Sequence, residues 1–196
     1  MSIPILSDSE FIISDVVVSH ETPNFATTSI NGVTTTKARG LHLLSITATV
    51  TLVDALDIKR FSALMLNIRG RLNPFKLSLQ DSSDGRGYCN PLFTDVSPVL
   101  ANDLSIGNNK MVLGGFSGTI PAGSIFQFPN DSKCYCLLND VKPNQEAEFF
   151  PAIRVPHLTK TKLNFSPVPL VRLEGDSFEL TYAKAKEITI KMKEVL

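Results

Sequence analysis

The sequence has no tryptophan and no net charge, because 19 lysines and arginines offset 19 aspartates and glutamates among 196 residues. A chain without excess positive charge lacks the attraction by which dedicated nucleic-acid-binding proteins hold phosphates, so we expect no nucleic-acid partner. No apolar run approaches the roughly 20 residues that span a bilayer, so we expect no membrane insertion. With no tryptophan and three tyrosines, few large rings are available to line the cleft of a carbohydrate-active enzyme.

Cysteine is also scarce, and the N-terminus lacks a targeting pattern. The first residues contain no basic stretch followed by a long apolar one, as a secretory signal requires, so we expect synthesis in a cytoplasm. Cys134 and Cys136 lie two apart in a strand-like run, which puts their Cα atoms about 6.5–7 Å apart, too far for comfortable bridging. Cys89 stands alone in a polar loop. We expect all three cysteines to be thiols.

Motifs for catalysis and metal binding are absent. None of the three histidines lies near a serine or cysteine in a nucleophile pattern, and no G-x-S-x-G occurs. We expect His42 at a hairpin edge or on the surface, and His157 in an exposed loop. Cys134 and Cys136 lack the two further closely spaced ligands of a structural zinc site. We therefore predict a protein that is not an enzyme, with no catalytic residue, no cofactor and no metal.

What the chain does contain is a succession of strands in a globular composition, with 43% apolar residues. Residues 44–52 alternate strictly between apolar and Ser or Thr side chains, which predicts a half-buried antiparallel strand. Asn31-Gly32 lies between β-branched residues in the segment 28–37, which predicts a hairpin with a type I′ turn. Alternation also predicts strands over 75–79 and in two segments of the C-terminal region, 178–182 and 188–192.

One segment, 54–69, carries a helical pattern. Asp54 is a suitable N-cap, and Gly70 is suited to the position just after the helix. Apolar residues recur between them at spacings of three and four, at Ile58, Phe61, Leu64, Met65 and Ile68. We therefore expect one amphipathic helix that covers one face of a sheet.

The middle of the chain differs from both ends. Residues 81–90 are polar and rich in glycine, which marks a loop or a domain boundary. Short predicted strands follow, with turn residues about every ten positions, at 98–105, 110–114, 124–128, 133–141, 145–150 and 168–173. This spacing is typical of a small β-barrel or sandwich. We predict a mainly β protein: a β-sandwich with one α-helix from residues 1–82 and 174–196, and an inserted OB-like β-barrel from residues 83–173.

Several segments recur in the order of a known family. They are 169–173 (PLVRL), 175–178 (GDSF), 188–190 (ITI), 194–196 (EVL), 121–128 (PAGSIFQF), 133–139 (KCYCLLN), 149–154 (FFPAIR) and the helix 54–69 followed by 75–77 (FKL). This order resembles the distal tail protein (Dit) family of phages with long, non-contractile tails, in the form with an OB-fold insertion. The sequence departs from the family pattern at Ser124, where an acid is common.

The resemblance implies a structural virion protein. In that family, six copies form a ring at the tail tip, between the tail tube and the baseplate hub. The implied partners are therefore other copies of this chain, the tail tube protein, the hub or tip protein, and tail fibre or collar proteins. The protein would be made in the host bacterial cytoplasm and reside in the virion.

Basic residues at two places are candidate interface residues. Arg69 and Arg71 follow the predicted helix, and four lysines punctuate the C-terminal segment, at Lys184, Lys186, Lys191 and Lys193. They either compensate the helix dipole and solvate a strand face, or they make electrostatic contacts between subunits. Other functions stay open at this point: another tail adaptor, an OB-fold module that binds carbohydrate or protein, and a single-stranded nucleic-acid-binding OB protein, against which the neutral charge argues.

Overall fold

The computed structural model describes residues 3–79, 98–180 and 186–195, which form thirteen strands and one helix. The strands are β1 (Ile5–Ser7), β2 (Ile12–Glu21), β3 (Asn24–Thr28), β4 (Thr34–Ala38), β5 (Leu43–Leu52), β6 (Phe75–Ser78), β7 (Val99–Leu100), β8 (Lys110–Gly114), β9 (Ile125–Gln127), β10 (Cys134–Leu137), β11 (Glu146–Phe150), β12 (Leu170–Leu173) and β13 (Lys186–Glu194). The helix α1 spans Ala55–Ile68.

Six strands form one sheet in the order β1-β6-β12-β13-β5-β2. The predicted alternation of β5 is confirmed, since every even-numbered residue from Leu44 to Leu52 is buried and every odd-numbered one from Leu43 to Thr51 is half-buried. The helix covers the face to which the buried residues point. Together they form the first core, which includes Phe61 and Met65 of α1 and Phe75 of β6.

The helix begins and ends where its sequence indicates. The Asp54 carboxylate accepts hydrogen bonds from the backbone N–H groups of Leu56 and Asp57, both at 2.8 Å, which satisfies donors that the first helical turn leaves free. Arg69 ends the helix in the left-handed conformation, with φ of 56°. Gly70 follows with φ of 63°, and a Cβ there would lie 2.8 Å from the Asp176 Cα atom, so this position requires glycine.

The second sheet has five strands in the order β7-β8-β11-β10-β9, all antiparallel. It surrounds the second core, where the rings of Phe126, Phe128, Tyr135, Phe149 and Phe165 pack with centroids 5.5–5.9 Å apart. The sheets are curled into half-barrels. The predicted class, mainly β with one helix and a barrel-like insert, is confirmed for the described part of the chain.

Two local predictions near the C-terminus differ from the structure. Leu170–Leu173, counted with the insert, pairs with β6 and β13 and so lies in the six-stranded sheet. A short alternating segment does not encode its partner strand, so sequence spacing misplaced this one. Residues 178–180 are not a strand, and Phe178 and Leu180 instead pack loosely on the first core. The predicted loop 81–90, the boundary at 82 and 83, and Cys89 lie outside the described residues.

The hairpin β3–β4 is confirmed, but its predicted turn type is wrong. A type I′ turn needs positive φ at both central residues, and of Asn31 and Gly32 only the glycine has it, at 79°. The strands are instead joined by five residues, 29–33, in which the Ser29 N–H donates to the Val33 carbonyl at 2.9 Å. Every residue of β3 and β4 is exposed.

Candidate functional site

The predicted interface arginines lie at the end of α1. Arg69 is exposed, and its backbone N–H donates to the Met65 carbonyl at 3.0 Å. The guanidinium of Arg71 binds the Asp176 carboxylate through Nε, 3.0 Å from each oxygen, and also through Nη2. Hydrogen bonding to Arg71 lowers the pKa of Asp176 to about 2. Arg71 therefore ties the segment after β12 to the helix of its own chain.

Two of the predicted interface lysines lie on the opposite side of the sheet from the helix that the arginines follow. The alternation of β13 places Lys191 and Lys193 on the sheet face away from α1, while Ile190 and Met192 face the core. The Lys193 ammonium pairs with the Glu21 carboxylate at 2.5 Å. Lys186 begins β13 opposite Leu52, and Lys184 lies outside the described residues. Whether any of the six contacts another subunit stays a prediction.

The sheet face away from α1 carries polar side chains. On β5 these are the half-buried Ser45, Thr47, Thr49 and Thr51. Lys191, Thr189 and Glu187 of β13 lie on the same face, beside them. Among the described residues, this face carries no covering helix.

The hairpin β3–β4 connects β2 to its neighbour β5, at the end of the two strands where Glu21 pairs with Leu43. It follows β2, the edge strand, after two residues. Phe25 and Val33 are 59% and 62% exposed, and Ile30 at the tip is fully exposed. The Arg39 guanidinium lies over the Phe25 ring, 4.9 Å from its centroid. Residues 22–40 contain two basic residues and no acid, so the hairpin presents apolar side chains within a positively charged arm.

The opposite edge of the sheet carries a shallow groove. Strand β1 forms this edge and pairs in parallel with β6. The groove is lined by Ile5, Ser7, Ser9, Glu10, Lys76, Ser78 and Val168. The exposed Ile5 side chain gives it an apolar wall, and Glu10 and Lys76 contribute one charge of each sign. The sheet thus has an apolar hairpin at the end of its β2–β5 pair and a partly apolar groove at the β1 edge.

Sequence reasoning missed a buried ionic group at the place where the two sheets meet. The side chains of Lys133 and Glu194 form a salt bridge and are 1% and 0% exposed. Glu194 also accepts hydrogen bonds from the backbone N–H groups of Leu44, at 3.1 Å, and Cys134, at 3.0 Å. These amides belong to different sheets, so one carboxylate joins β5 and β13 to β10.

Two histidines extend this group toward the surface. The Lys133 Nζ atom lies 3.3 Å from His42 Nδ1, and His42 Nε2 lies 2.9 Å from Nδ1 of the exposed His20. The expectation that His42 lies on the surface or at a hairpin edge is wrong, because it packs under the Phe150 ring, with ring centroids 5.5 Å apart, and is buried. Burial, together with the charge of Lys133 and then His20, lowers the pKa of His42 to about 4.

His157 is also buried, contrary to the expectation of an exposed loop residue. Its ring stacks on Phe128 with centroids 4.0 Å apart, and its Nε2 atom lies 4.0 Å from the Asp131 carboxylate. Burial lowers the pKa of His157. Asp131 accepts a hydrogen bond from the Tyr135 hydroxyl at 2.6 Å. Burial, followed by this hydrogen bond, raises the pKa of Tyr135.

The described residues bring together no three His, Cys, Asp or Glu side chains that could hold a metal ion. In the same part of the chain, no helix has both the length and the apolar character needed to cross a bilayer. Cys134 and Cys136 share one side of β10, as predicted, with Cys134 in the first core and Cys136 half-buried. Burial raises the pKa of the Cys136 thiol.

Two comparisons, with protein-family models and with curated sequences, give no match. No protein-family model fits the sequence, and no curated protein matches it at a significant level. The functional conclusion therefore depends on the geometry described above and on the order of sequence segments.

Proposed function

We propose that this protein is a structural component of the tail tip of a phage with a long, non-contractile tail, where six copies form a ring that joins the tail tube to the baseplate hub. Two things support the proposal. The sequence segments follow the order of the distal tail protein family, and the fold has the mainly β, one-helix architecture with a barrel-like insert that this resemblance implies.

The observation that carries the proposal is the placement of two different surfaces at separate places on one sheet, the hairpin at the end of the β2–β5 pair and the groove at the β1 edge. A closed ring needs a heterologous interface, in which one patch of each copy meets a different patch of the next. The hairpin β3–β4 and the groove beside β1 have this arrangement. In the proposed ring, the hairpin of each copy lies in the groove of its neighbour, with its exposed apolar side chains against the apolar wall at Ile5.

The hairpin also needs a partner on energetic grounds. A two-stranded hairpin without a packed face is marginally stable in water. Burying Phe25, Ile30 and Val33 in a neighbour contributes roughly 1.5–3 kcal/mol for each side chain. Their sum is comparable with the cost of associating two molecules, about 4–15 kcal/mol. Closing the ring favours assembly, because every copy in a closed ring makes two such contacts.

The first experiment measures native mass over a concentration series, with negative-stain images of any large species. We expect the wild-type protein to form ring-shaped hexamers as concentration rises. The double variant Ile30→Asp, Val33→Asp should stay monomeric, because two buried charges without partners oppose docking. Leu158→Asp is the matched control, since Leu158 is comparably exposed but lies outside the hairpin and the groove; it should assemble like wild type.

A mixing experiment tests the head-to-tail arrangement directly. Ile5→Asp alters the groove and leaves the hairpin intact. The double variant Ile30→Asp, Val33→Asp alters the hairpin and leaves the groove intact. Each variant alone should be monomeric, and their mixture should form a dimer and nothing larger, because it contains one intact contact. A wild-type protein that is monomeric at every concentration, or a hairpin variant that assembles normally, contradicts this interface. Screens for glycan binding then test the alternative of a binding module.

A further inference from the structure

A chain of polar side chains runs from the surface to the junction between the two cores. It begins at the exposed His20 near the end of β2 and continues through His42, Lys133 and Glu194. The last member holds one backbone amide of each sheet, through the N–H groups of Leu44 and Cys134. This series of polar side chains therefore connects the exposed His20 imidazole with the contact between the two sheets.

The hydrogen bonds fix where the protons lie. A lysine ammonium has donors and no acceptor, so His42 Nδ1 accepts from Lys133 and carries no proton. The proton of the neutral His42 ring is therefore on Nε2, which donates to His20 Nδ1 at 2.9 Å. It follows that His20 Nδ1 is also unprotonated. The observed arrangement requires one specified tautomer of His42 and an unprotonated accepting nitrogen on each ring.

We propose that these polar side chains form an acid-sensitive joint, in which protonation of His42 breaks its hydrogen bond with Lys133 and loosens β10 from β5 and β13. A proton on His42 Nδ1 would point at the Lys133 ammonium, which has no acceptor for it. It would also add a second buried cation to a site that has one carboxylate.

The surrounding groups do not supply a compensating acid. Among the described residues, the charged groups beside these side chains are Glu21 of β2, Lys193 and Glu194 of β13, and Asp131 and Lys133 before β10. The Phe150 ring of β11 packs on His42. Glu21 pairs with Lys193, and Asp131 accepts from the Tyr135 hydroxyl. Glu194 is already held by Lys133 and two amides. An added proton on His42 therefore meets no free carboxylate among these groups.

The direction of the pH effect follows from the lowered pKa of His42. In the unfolded chain a histidine takes up its proton near pH 6.5, whereas in the folded protein the pKa of His42 is about 4. The unfolded or opened form therefore binds the proton more tightly. The joint is intact above pH 6.5 and opens progressively as the pH falls from 6.5 toward 4.

The test measures hydrogen exchange of the Leu44 and Cys134 amides by NMR in the full-length protein, corrected for the intrinsic pH dependence of exchange. Between pH 6.5 and 4, the corrected opening of both amides should approach a tenfold increase per pH unit, as for one bound proton. In His42→Gln the amide side chain can accept from Lys133 and donate to His20 but does not titrate, so this slope should disappear. His157→Gln removes another buried histidine, and there the slope at these two amides should persist.

Two outcomes overturn the proposal. One is corrected exchange that does not change with pH in the wild-type protein, and the other is the same acid slope in His42→Gln. Where His42→Gln does not fold, imidazole nitrogen shifts of the wild-type protein decide the question. At neutral pH they must show His42 protonated on Nε2 and not on Nδ1. The joint lies within one chain, so this result is independent of ring formation.

Discussion

The buried pair Lys133–Glu194 gives a sharp prediction for a double-mutant cycle. Lys133→Met keeps the length of the side chain and leaves an unpaired carboxylate in a site that is almost fully excluded from water. Removing one partner of a buried ion pair costs about 3–5 kcal/mol of unfolding free energy, because the remaining charge is uncompensated. Glu194→Gln alone should cost a similar amount, since it leaves the ammonium with His42 Nδ1 and a neutral amide.

The two substitutions should not be additive. In the Lys133→Met background, Glu194→Gln removes the uncompensated charge, and its amide oxygen can still accept from one of the backbone N–H groups that Glu194 now holds. We therefore expect Glu194→Gln to cost much less in this background than in wild type, or to stabilise it, with a coupling of about 2 kcal/mol or more.

Urea unfolding at pH 7, followed by circular dichroism, measures each corner of the cycle. The exposed ion pair between Lys110 and Glu146 is the matched control. For this pair, the effects of the corresponding substitutions, Lys110→Met and Glu146→Gln, on the free energy of unfolding should be additive within experimental error. The reason is that solvent screens the two charges from each other. If Glu194→Gln costs as much in the Lys133→Met background as in the wild-type protein, the two side chains do not depend on each other and the reasoning fails.

Two further predictions concern single positions. Gly70→Ala should lower the unfolding free energy by about 2 kcal/mol or more, because it combines a positive φ with a backbone clash. Gly32→Ala has a similar φ but open space around it, and should cost about 1 kcal/mol in the same urea assay; equal costs at the two positions contradict the clash. Tyr135→Phe deprives the buried Asp131 of a hydrogen bond and should cost about 1–3 kcal/mol. A thermal melt unchanged from wild type shows that this bond contributes nothing.

The parts of the fold that were predictable from sequence are those whose signal is local. The helix α1 was recognisable because Asp54, the apolar spacing and Gly70 all lie within seventeen residues. Strand β5 was recognisable because ten consecutive residues alternate. The turn type at Asn31-Gly32 was not recognisable from the sequence, since the number of residues in the turn depends on where the two flanking strands end.

The buried ionic group could not be predicted in the same way. Its members are separated by as many as 174 positions along the chain (His20 to Glu194). Lysine and glutamate are rarely fully buried, so a surface position was the reasonable expectation for Lys133. Pairing across two sheets decides their burial, and a single sequence contains no local mark of that pairing. The six basic interface residues were chosen on charge, and their role stays a prediction.

Strand β10 contributes to both cores at once. Cys134 packs in the first core, whereas Tyr135 and Leu137 pack in the second. A domain that can be exchanged between proteins has a hydrophobic core of its own. Here the boundary between the two cores passes through a single strand, β10. Exchanging the middle of this chain for that of a relative would also replace one wall of the first core. We expect evolution to have altered the two halves together, with compensating changes on opposite sides of β10.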